Sequence, residues 1–181
     1  KKLNINIIGV RRDNRGSNTF DDFILVMYRE DEMMISHRWL ATTDPGKYWL
    51  MNPSNPKGTA VLVPGQYRGT WQLGKHQGRY KALVQRKPVK VYRDDNKDEI
   101  IDFNNIITLV DEGYFGINIH RSNPYKESYV VNKWSAGCQV FKKVEDYNKF
   151  IQLCSDSAKI YGNSFSYTLI DEKDLRKHLN D

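Results

Sequence analysis

The sequence predicts a mostly β domain of the α+β class, and three observations predict it. Short apolar stretches, alternating in period two or rich in β-branched and aromatic residues, recur between turn signals along the first 120 residues. One amphipathic helical pattern follows them, beginning at Lys142. The chain has 181 residues, of which 12% are aromatic, so it can bury a sizeable core. This length is typical of one domain, and we expect a single domain over 1–181.

Ten strands are predicted in chain order. Leu3–Val10 opens with the alternation Leu-Asn-Ile-Asn-Ile, and Phe23–Tyr28 is a continuous apolar run. Turn signals crowd together from Asp44-Pro45-Gly46 onward. The predicted strands are Leu3–Val10, Phe23–Tyr28, Met33–Ala41, Thr59–Val63, Tyr67–Leu73, Tyr80–Gln85, Val89–Arg93, Ile106–Val110, Phe115–His120 and Ser164–Ile170.

Two helices are predicted after Cys138. Lys142–Lys159 spaces its apolar residues mostly at intervals of three and four, and Gly162 follows as a stop. This principal helix carries Cys154 on its apolar face. Asp171–Leu179 is predicted as a short terminal helix.

The positive charge is concentrated in one stretch. The net charge is +6, and segment 57–90 contains eight Lys and Arg but no Asp or Glu. Such a field favours an anionic partner, either nucleic acid or a carboxylate-rich cell-wall polymer, or else it is a solvated face without a partner. Because no nucleic-acid-binding motif accompanies the charge, we do not expect nucleic acid as the partner.

Several classes of protein are not expected. No stretch approaches 18 consecutive apolar residues, so no membrane span is predicted. Lys1-Lys2 is followed by an apolar run too short for a secretory signal, and no signal peptide is visible. The four His and two Cys are too dispersed for metal ligation, so neither a metal nor another cofactor is expected. The pattern carries no signal of oligomeric state.

Two short segments concentrate the chemically useful residues. In the first, His120 ends an apolar strand, and in the second Cys138 follows Ser135 and Gly137. A thiol becomes a strong nucleophile when its pKa is lowered or a base lies beside it, and an imidazole titrates near neutral pH. Gly137 lets the backbone approach a substrate, so that N–H groups there can stabilise an oxyanion. Taken singly, a buried inert thiol and a structural histidine also fit these positions.

The order and spacing of these segments resemble the L,D-transpeptidase (YkuD-like) family. Its motif is a strand-terminal Ile-His followed, some fifteen to twenty residues on, by Ser-His-Gly-Cys-x-Arg. This chain offers Ile119-His120 and then Ser135-Ala136-Gly137-Cys138-Gln139-Val140. Thr43-Asp44-Pro45-Gly46 resembles the family's Thr-Pro-x-Gly turn, and the resemblance covers about residues 40–141.

The resemblance implies a curved β-sandwich with a helix after the catalytic cysteine. It implies acyl transfer on peptidoglycan stem peptides, of the transpeptidase, carboxypeptidase or endopeptidase type, without a cofactor. Cys138 would form a thioester, with His120 as general base and with Ser135 and Gly137 completing the catalytic loop. The residues expected to bind substrate flank the motifs: Arg121, Ser122, Trp134, Gln139 and Tyr114.

Three positions depart from the family motif. Ala136 replaces the motif His, Val140 replaces the motif Arg, and Arg121 replaces the usual Gly after the strand His. Arg121 or Arg68 is expected to supply the missing charge. Divergence of this kind suits a phage or prophage enzyme that acts on the host wall, so the cell envelope is the expected place of action. The same departures keep open a binding or structural module without chemistry, and segment 57–90 keeps a nucleic-acid binder as a third alternative.

Three further histidines lie outside the motifs. His37 falls in a predicted strand and is expected to be structural. His76 lies in Gly74-Lys75-His76-Gln77-Gly78, a loop or hairpin tip, and is a lesser candidate for touching substrate. His178 is expected to be exposed on the terminal helix.

Overall fold

The computed structural model describes residues 2–13, 18–101 and 110–179. The prediction of a mostly β, α+β fold is confirmed. The strands are β1 (Asn6–Arg11), β2 (Asp22–Glu30), β3 (Met33–Thr42), β4 (Thr59–Leu62), β5 (Gly65–His76), β6 (Tyr80–Gln85), β7 (Val89–Asp94), β8 (Val110–Gly113), β9 (Ile119–Arg121), β10 (Gln139–Phe141) and β11 (Phe165–Asp171). The helices are α1 (Lys47–Met51), α2 (Val144–Tyr161) and α3 (Glu172–Leu179).

Eight strands close into a barrel in the order β1-β11-β5-β6-β9-β10-β3-β2, and β4, β7 and β8 form a separate sheet. Closure depends on β1, which pairs in parallel with β11 and antiparallel with β2. Ile7 therefore lies opposite Tyr167 on one side and Val26 on the other. The resemblance led us to expect a curved sandwich, whereas the strands form a closed barrel beside a small sheet. The family's own arrangement of strands stays a prediction.

Aromatic side chains fill the barrel core. Trp71 and Tyr167 meet edge to face, with ring centroids 5.5 Å apart. Helix α2 packs Phe150 against Trp39 and Phe141, at centroid distances of 6.3 Å and 4.9 Å. All five rings are buried, so the aromatic content identified in the sequence does build the core.

Helix α2 is the principal helix that the sequence predicts after Cys138. Its buried residues are Tyr147, Phe150, Cys154 and Ser157, which recur at intervals of three and four and so lie on one face. Gly162 ends the helix with a φ of 86°, a conformation that glycine adopts without steric cost. Cys154 has no exposed surface, so it is part of the core.

The predicted strand Phe115–His120 is shorter than expected, because only Ile119–Arg121 forms a strand. Just before this strand, backbone N–H groups form hydrogen bonds with a side chain and not with a neighbouring strand. The Gln85 amide oxygen accepts the N–H groups of Phe115 and Ile117, at 3.1 Å and 3.0 Å. The backbone donors of this segment are thus satisfied outside a strand ladder.

Smaller differences concern the element boundaries. The predicted strand Ile106–Val110 lies outside the described residues except for Val110, where β8 begins. The region crowded with turn signals contains the short helix Lys47–Met51, and Gln139–Phe141 forms a strand that the pattern did not predict. In the part of the chain that the structure describes, no helix is long and apolar enough to cross a membrane.

Candidate active site

Strand β9 contains His120, and Cys138 lies directly before strand β10. The strands pair in parallel, with Ile119 opposite Gln139. The Gln139 N–H donates to the Asn118 carbonyl at 2.9 Å, so Cys138 lies just before the ladder, opposite Asn118. Because side chains alternate across a strand, Cys138 and His120 project from the same face, two positions apart along it.

The Cys138 thiol is partly buried and held by backbone groups. Its S–H donates to the Gly116 carbonyl at 3.3 Å, and the sulfur accepts the Asn118 N–H at 3.4 Å. Burial raises the pKa of the thiol to about 11, and the Asn118 N–H opposes this only in part. At neutral pH Cys138 is therefore a thiol and not a thiolate.

A backbone carbonyl fixes the orientation of the His120 ring. His120 Nδ1 lies 2.7 Å from the Arg121 carbonyl oxygen, and the Tyr80 hydroxyl donates to the same oxygen at 3.2 Å. Because a carbonyl only accepts hydrogen bonds, Nδ1 carries the proton and Nε2 carries the lone pair. The Arg121 carbonyl is thus the group that orients the His120 ring.

Burial also governs the charge of His120. Burial, together with the nearby His76 ring, lowers the pKa of the imidazole to about 3. The Tyr80 hydroxyl lies 3.1 Å from Nδ1. His120 is therefore a neutral imidazole with a lone pair on Nε2 across the pH range in which enzymes usually work.

The thiol and the imidazole do not contact each other in this arrangement. Within the described ranges, Cys138 forms its hydrogen bonds with Gly116 and Asn118 and none with His120. Hydrogen bonds between catalytic groups are often long without substrate and shorten when it binds.

His76 lies against His120, which the sequence did not foresee. The two imidazole rings stack with centroids 3.9 Å apart. The Gln85 N–H donates to Asn118 Oδ1 at 3.0 Å, so the Asn118 amide nitrogen faces His76 Nδ1 at 3.1 Å. His76 Nδ1 is therefore an acceptor, and the proton of the neutral ring lies on Nε2.

Tyr80 and Asn118 are site residues that sequence reasoning missed. Tyr80 reads as an ordinary strand residue, and Asn118 reads as the polar member of an alternating stretch. Strand β6 brings Tyr80 to the site because Leu83 pairs with Ile119. No local pattern marks either residue, since the pairing joins segments far apart in sequence.

Ser135 and Gly137 shape the loop that presents Cys138. The Ser135 hydroxyl donates to the Cys138 carbonyl at 2.8 Å and accepts the Gly137 N–H at 3.1 Å. Gly137 has a φ of +117°, and a Cβ there would lie 2.3 Å from the Ala60 carbonyl oxygen. Only glycine fits this position, so the Ser-x-Gly pattern is explained by backbone conformation.

Gln139, predicted to bind substrate, is fully buried inside the barrel. Its Oε1 accepts the Tyr167 hydroxyl at 2.8 Å, and its Nε2 donates to the carbonyls of Thr43 and Gly137 at 3.4 Å and 3.3 Å. These contacts tie the cysteine loop to the barrel wall. Gln139 lines neither of the cavities described below.

Two of the three departures from the family motif, Val140 and Ala136, have different surroundings. Val140 is fully buried in a small apolar cluster with Phe20 and Val131, where a charged arginine would lack a partner. Ala136 is exposed and lines the smaller of the two cavities near the cysteine loop that are described below. The missing motif Arg is thus replaced by apolar packing at its own position.

The larger cavity, here called the histidine cavity, measures about 550 Å³. Three of the predicted substrate-binding residues line it: Arg121, Ser122 and Trp134. The Ser122 hydroxyl donates to the Lys142 carbonyl at 3.1 Å, so it is already engaged. The full lining is His76, Gln77, Arg79, Tyr80, His120, Arg121, Ser122, Pro124, Lys133 and Trp134.

The smaller cavity, here called the Arg93 cavity, measures about 280 Å³ and contains Tyr114, which is 69% exposed. Arg68, the other candidate to replace the motif Arg, lines neither cavity. The lining residues of the Arg93 cavity are Trp49, Ser54, Asn55, Gly58, Thr59, Ala60, Arg93, Tyr114, Phe115 and Ala136.

The remaining histidines lie apart from this site. The His37 ring stacks on Trp39 at a centroid distance of 5.2 Å, and its Nε2 lies 3.4 Å from the Tyr28 hydroxyl, as suits a structural residue. The side chain of His178 lies outside the described residues.

A metal site has no obvious ligand set. Among residues 2–13, 18–101 and 110–179, no group of three or more His, Cys, Asp or Glu side chains could hold a metal ion.

The chain was also compared with models of protein families, with curated proteins and with solved structures, and none of these comparisons gives a match.

Proposed function

We propose that this protein is a cysteine acyltransferase of the L,D-transpeptidase type that acts on peptidoglycan stem peptides. One observation carries the proposal. His120 is anchored through Nδ1 to the Arg121 carbonyl, which leaves Nε2 as a free base on the face from which Cys138 projects. A nucleophile, a base and a group that orients the base are the parts that covalent acyl transfer requires.

Acylation begins with the thiol of Cys138. His120 Nε2 takes the thiol proton while the sulfur attacks a peptide carbonyl carbon, and the carbonyl π electrons move onto its oxygen. Backbone N–H groups of the loop around Gly137 stabilise that oxyanion. When the oxyanion collapses, the C–N bond breaks, the leaving amine takes the proton from His120, and a thioester remains on Cys138.

The second half transfers the acyl group. An amine or a water molecule gives its proton to His120 Nε2 and attacks the thioester carbonyl. The C–S bond then breaks, and the sulfur recovers its proton from His120. Attack by an amine yields a cross-link, whereas attack by water yields a carboxypeptidase or endopeptidase product.

The charges of the resting site decide when the proton moves. Burial keeps Cys138 protonated, with a pKa of about 11, and keeps His120 neutral. A preformed thiolate–imidazolium pair is therefore disfavoured. Proton transfer accompanies the attack on the carbonyl, as general-base catalysis, and does not precede it.

The resemblance in motif order supports the same chemistry. The strand-terminal Ile119-His120 precedes Ser135-x-Gly137-Cys138 along the chain, as it does in the L,D-transpeptidases. The proposal extends to a family-like placement of the strands around the cysteine. The contacts of Ser135 and Gly137 support it, since both residues hold the cysteine loop in one conformation.

Purified peptidoglycan fragments test the proposal. The protein is incubated with tetrapeptide and pentapeptide stems, and mass spectrometry follows the masses of the peptides and of the protein. We expect a protein adduct on Cys138 with the mass of the acyl stem, and shortened or cross-linked peptides. Products that form equally well with the Cys138→Ala variant would overturn the proposal.

The second cysteine provides the matched control. Cys154 lies on the buried face of α2, away from both cavities. Cys154→Ala should retain the products and the adduct, because that thiol has no access to substrate. Circular dichroism spectra of both variants are compared with that of the wild type. If both variants lose activity and their spectra change, the loss is assigned to disrupted packing.

A binding module without chemistry is the second candidate, favoured by the hydrogen bond from the Cys138 thiol to Gly116 in place of His120. Such a module would bind stem peptides without converting them. Sedimentation with insoluble peptidoglycan then detects binding that is equal for the wild type and Cys138→Ala, while mass spectrometry detects neither products nor an adduct.

A further inference from the structure

The two cavities near the cysteine loop differ in how their charge is compensated. In the Arg93 cavity, the Arg93 guanidinium lies 3.2 Å from the Asp111 carboxylate and donates to the Gly58 carbonyl. The same group covers the Phe115 ring at 4.7 Å. The charge of Arg93 is thus neutralised by protein groups, and this cavity has no strong demand for an anion.

The histidine cavity has three cations and no acidic residue in its lining. Among the described residues, Arg79, Arg121 and Lys133 form no ion pair with a carboxylate. Arg121 lies over the Tyr80 ring at 4.1 Å, and the Lys133 ammonium lies over the Tyr48 ring at 4.2 Å. These aromatic faces orient the cations without neutralising them.

The histidine pair responds to this positive charge. The pKa of His76 is lowered, first by burial and then by Arg79 and Arg121. Arg121 also contributes to the lowered pKa of His120. Both rings are therefore held neutral beside three fixed positive charges. An anion entering the cavity would be attracted by the cations and would meet no opposing carboxylate among the lining residues.

The size and apolar surface of the cavity narrow the ligand class. A volume of about 550 Å³ is larger than an inorganic anion fills and lies in the usual range for organic ligands. Trp134, Pro124 and the Tyr80 ring supply apolar contact next to the cations. This combination suits a peptide residue whose carbon chain ends in a carboxylate.

We infer that the histidine cavity binds a carboxylate-bearing residue of the substrate peptide, with Arg79, Arg121 and Lys133 as its recognition groups. The inference rests on the proposed function for the identity of the peptide. It assigns the carboxylate to the His76 and His120 side of the cysteine loop and away from the Arg93 cavity. Arg79 and Lys133 become specificity-determining residues that no motif marks.

Calorimetry on the Cys138→Ala protein tests binding without turnover. The probes are a stem tetrapeptide with its carboxylates free and the same peptide with every carboxylate converted to the amide. We expect the free acid to bind at least about fivefold more tightly. In Arg79→Gln combined with Lys133→Met, this preference should fall to about twofold or less, because two of the three cations are gone.

A matched control removes a cation elsewhere. Lys149 is exposed on α2 and lines neither cavity, so Lys149→Met should keep the full preference for the free acid. Equal binding of both peptides to the parent protein, or a preference that survives in the double variant, would overturn the inference.

An alkylation experiment without peptide separates failure of the inference from failure of the proposed function. If neither peptide binds, the stem-peptide proposal is wrong, and the cavity is tested by alkylating Cys138 in the natural chain. Iodoacetate and iodoacetamide differ in charge, so their rate ratio reports the local potential and not the thiolate fraction. If the ratio of the iodoacetate rate to the iodoacetamide rate falls at least about threefold in the double variant, the cavity attracts anions. An unchanged ratio contradicts the inference.

Discussion

His76 and His120 stack face to face, with ring centroids 3.9 Å apart and planes 19° from parallel. Two imidazoles at this distance cannot both carry a proton charge without strong repulsion. The hairpin formed by β5 and β6 thus places the His76 ring against the His120 imidazole, which lies in β9. A histidine outside the motif region thereby influences the group that would accept the thiol proton.

Replacing His76 by phenylalanine keeps a flat ring and removes the second imidazole. The pKa of His120 should rise from about 3, because His76 is one of its lowering causes. It should stay below 6.5, because burial is the larger cause. Titration of the His120 ring by NMR in both proteins measures the shift. The control is His37→Phe, since His37 stacks on Trp39 elsewhere. A His120 pKa that stays the same or falls would contradict the prediction.

Tyr80→Phe removes one hydroxyl and leaves the ring under Arg121. The hydroxyl contacts both Nδ1 of His120 and the Arg121 carbonyl, so its loss should leave the imidazole less firmly oriented. We expect kcat to fall about tenfold with KM little changed, and the free energy of unfolding to fall by about 1 kcal/mol. Tyr67→Phe is the control, because that hydroxyl donates to the Val63 carbonyl. Equal kcat values in the two variants would argue against a positioning role for Tyr80.

Cys138 should react with iodoacetamide as a thiol of raised pKa. Because its pKa is about 11, the thiolate fraction at pH 7 is small. The alkylation rate should therefore rise about tenfold per pH unit up to roughly pH 10. Mass spectrometry of tryptic peptides measures the rate, and Cys154 serves as an internal control because it has no exposed surface. A rate that levels off between pH 7 and 8 would instead indicate a preformed thiolate.

Gly137→Ala should disrupt the cysteine loop. The added Cβ would lie 2.3 Å from the Ala60 carbonyl oxygen, at a φ of +117° that alanine rarely adopts. We expect a loss of about 3 kcal/mol or more in the free energy of unfolding, together with loss of activity. Gly78→Ala shares a positive φ but has open space around it, so it should cost about 1 kcal/mol. Denaturant unfolding of both variants checks the difference, and equal losses would refute the steric explanation.

Asp22 should make stability depend on pH below neutrality. Burial, aided by the nearby Asp44, raises its pKa to about 7 from 3.8. The folded state therefore holds this proton more tightly than the unfolded state. The stabilisation is complete below pH 3.8 and is lost as the pH rises to about 7. In Asp22→Asn, the decline in the free energy of unfolding over this pH range should be smaller than in the wild type by about 2–4 kcal/mol.

The comparison between wild type and Asp22→Asn isolates that effect. His120, whose folded pKa is lowered to about 3, contributes the opposite trend, a gain in stability as the pH rises from 3 to 6.5. This contribution is common to both proteins and cancels in their difference. Urea unfolding at pH 4 and pH 7 measures the change, and a difference that does not vary with pH would refute the assignment.

The local patterns of the sequence account for a defined part of these results. Short alternating or apolar stretches between turn signals predict most strands, and three- and four-residue spacing predicts α2 with Cys154 on its buried face. The order and spacing of the strand-terminal His120 and Cys138 are also visible in the sequence, because motif spacing is a property of the chain alone. Gln139 shows the limit, since its amide reads as a substrate contact but lies buried against Tyr167.

Only the tertiary structure decided what surrounds the two motif residues. His76 and Tyr80 reach His120 because the β5–β6 hairpin pairs with β9 through Leu83 and Ile119. No interval along the chain encodes that pairing, because it depends on how distant strands close the barrel. The sequence by itself determined most of the strands, the principal helix α2 and the order in which His120 and Cys138 follow each other along the chain. The fold decided which cations form an ion pair with a carboxylate, because ion pairing depends on neighbours in space. Arg93, for example, is paired with Asp111.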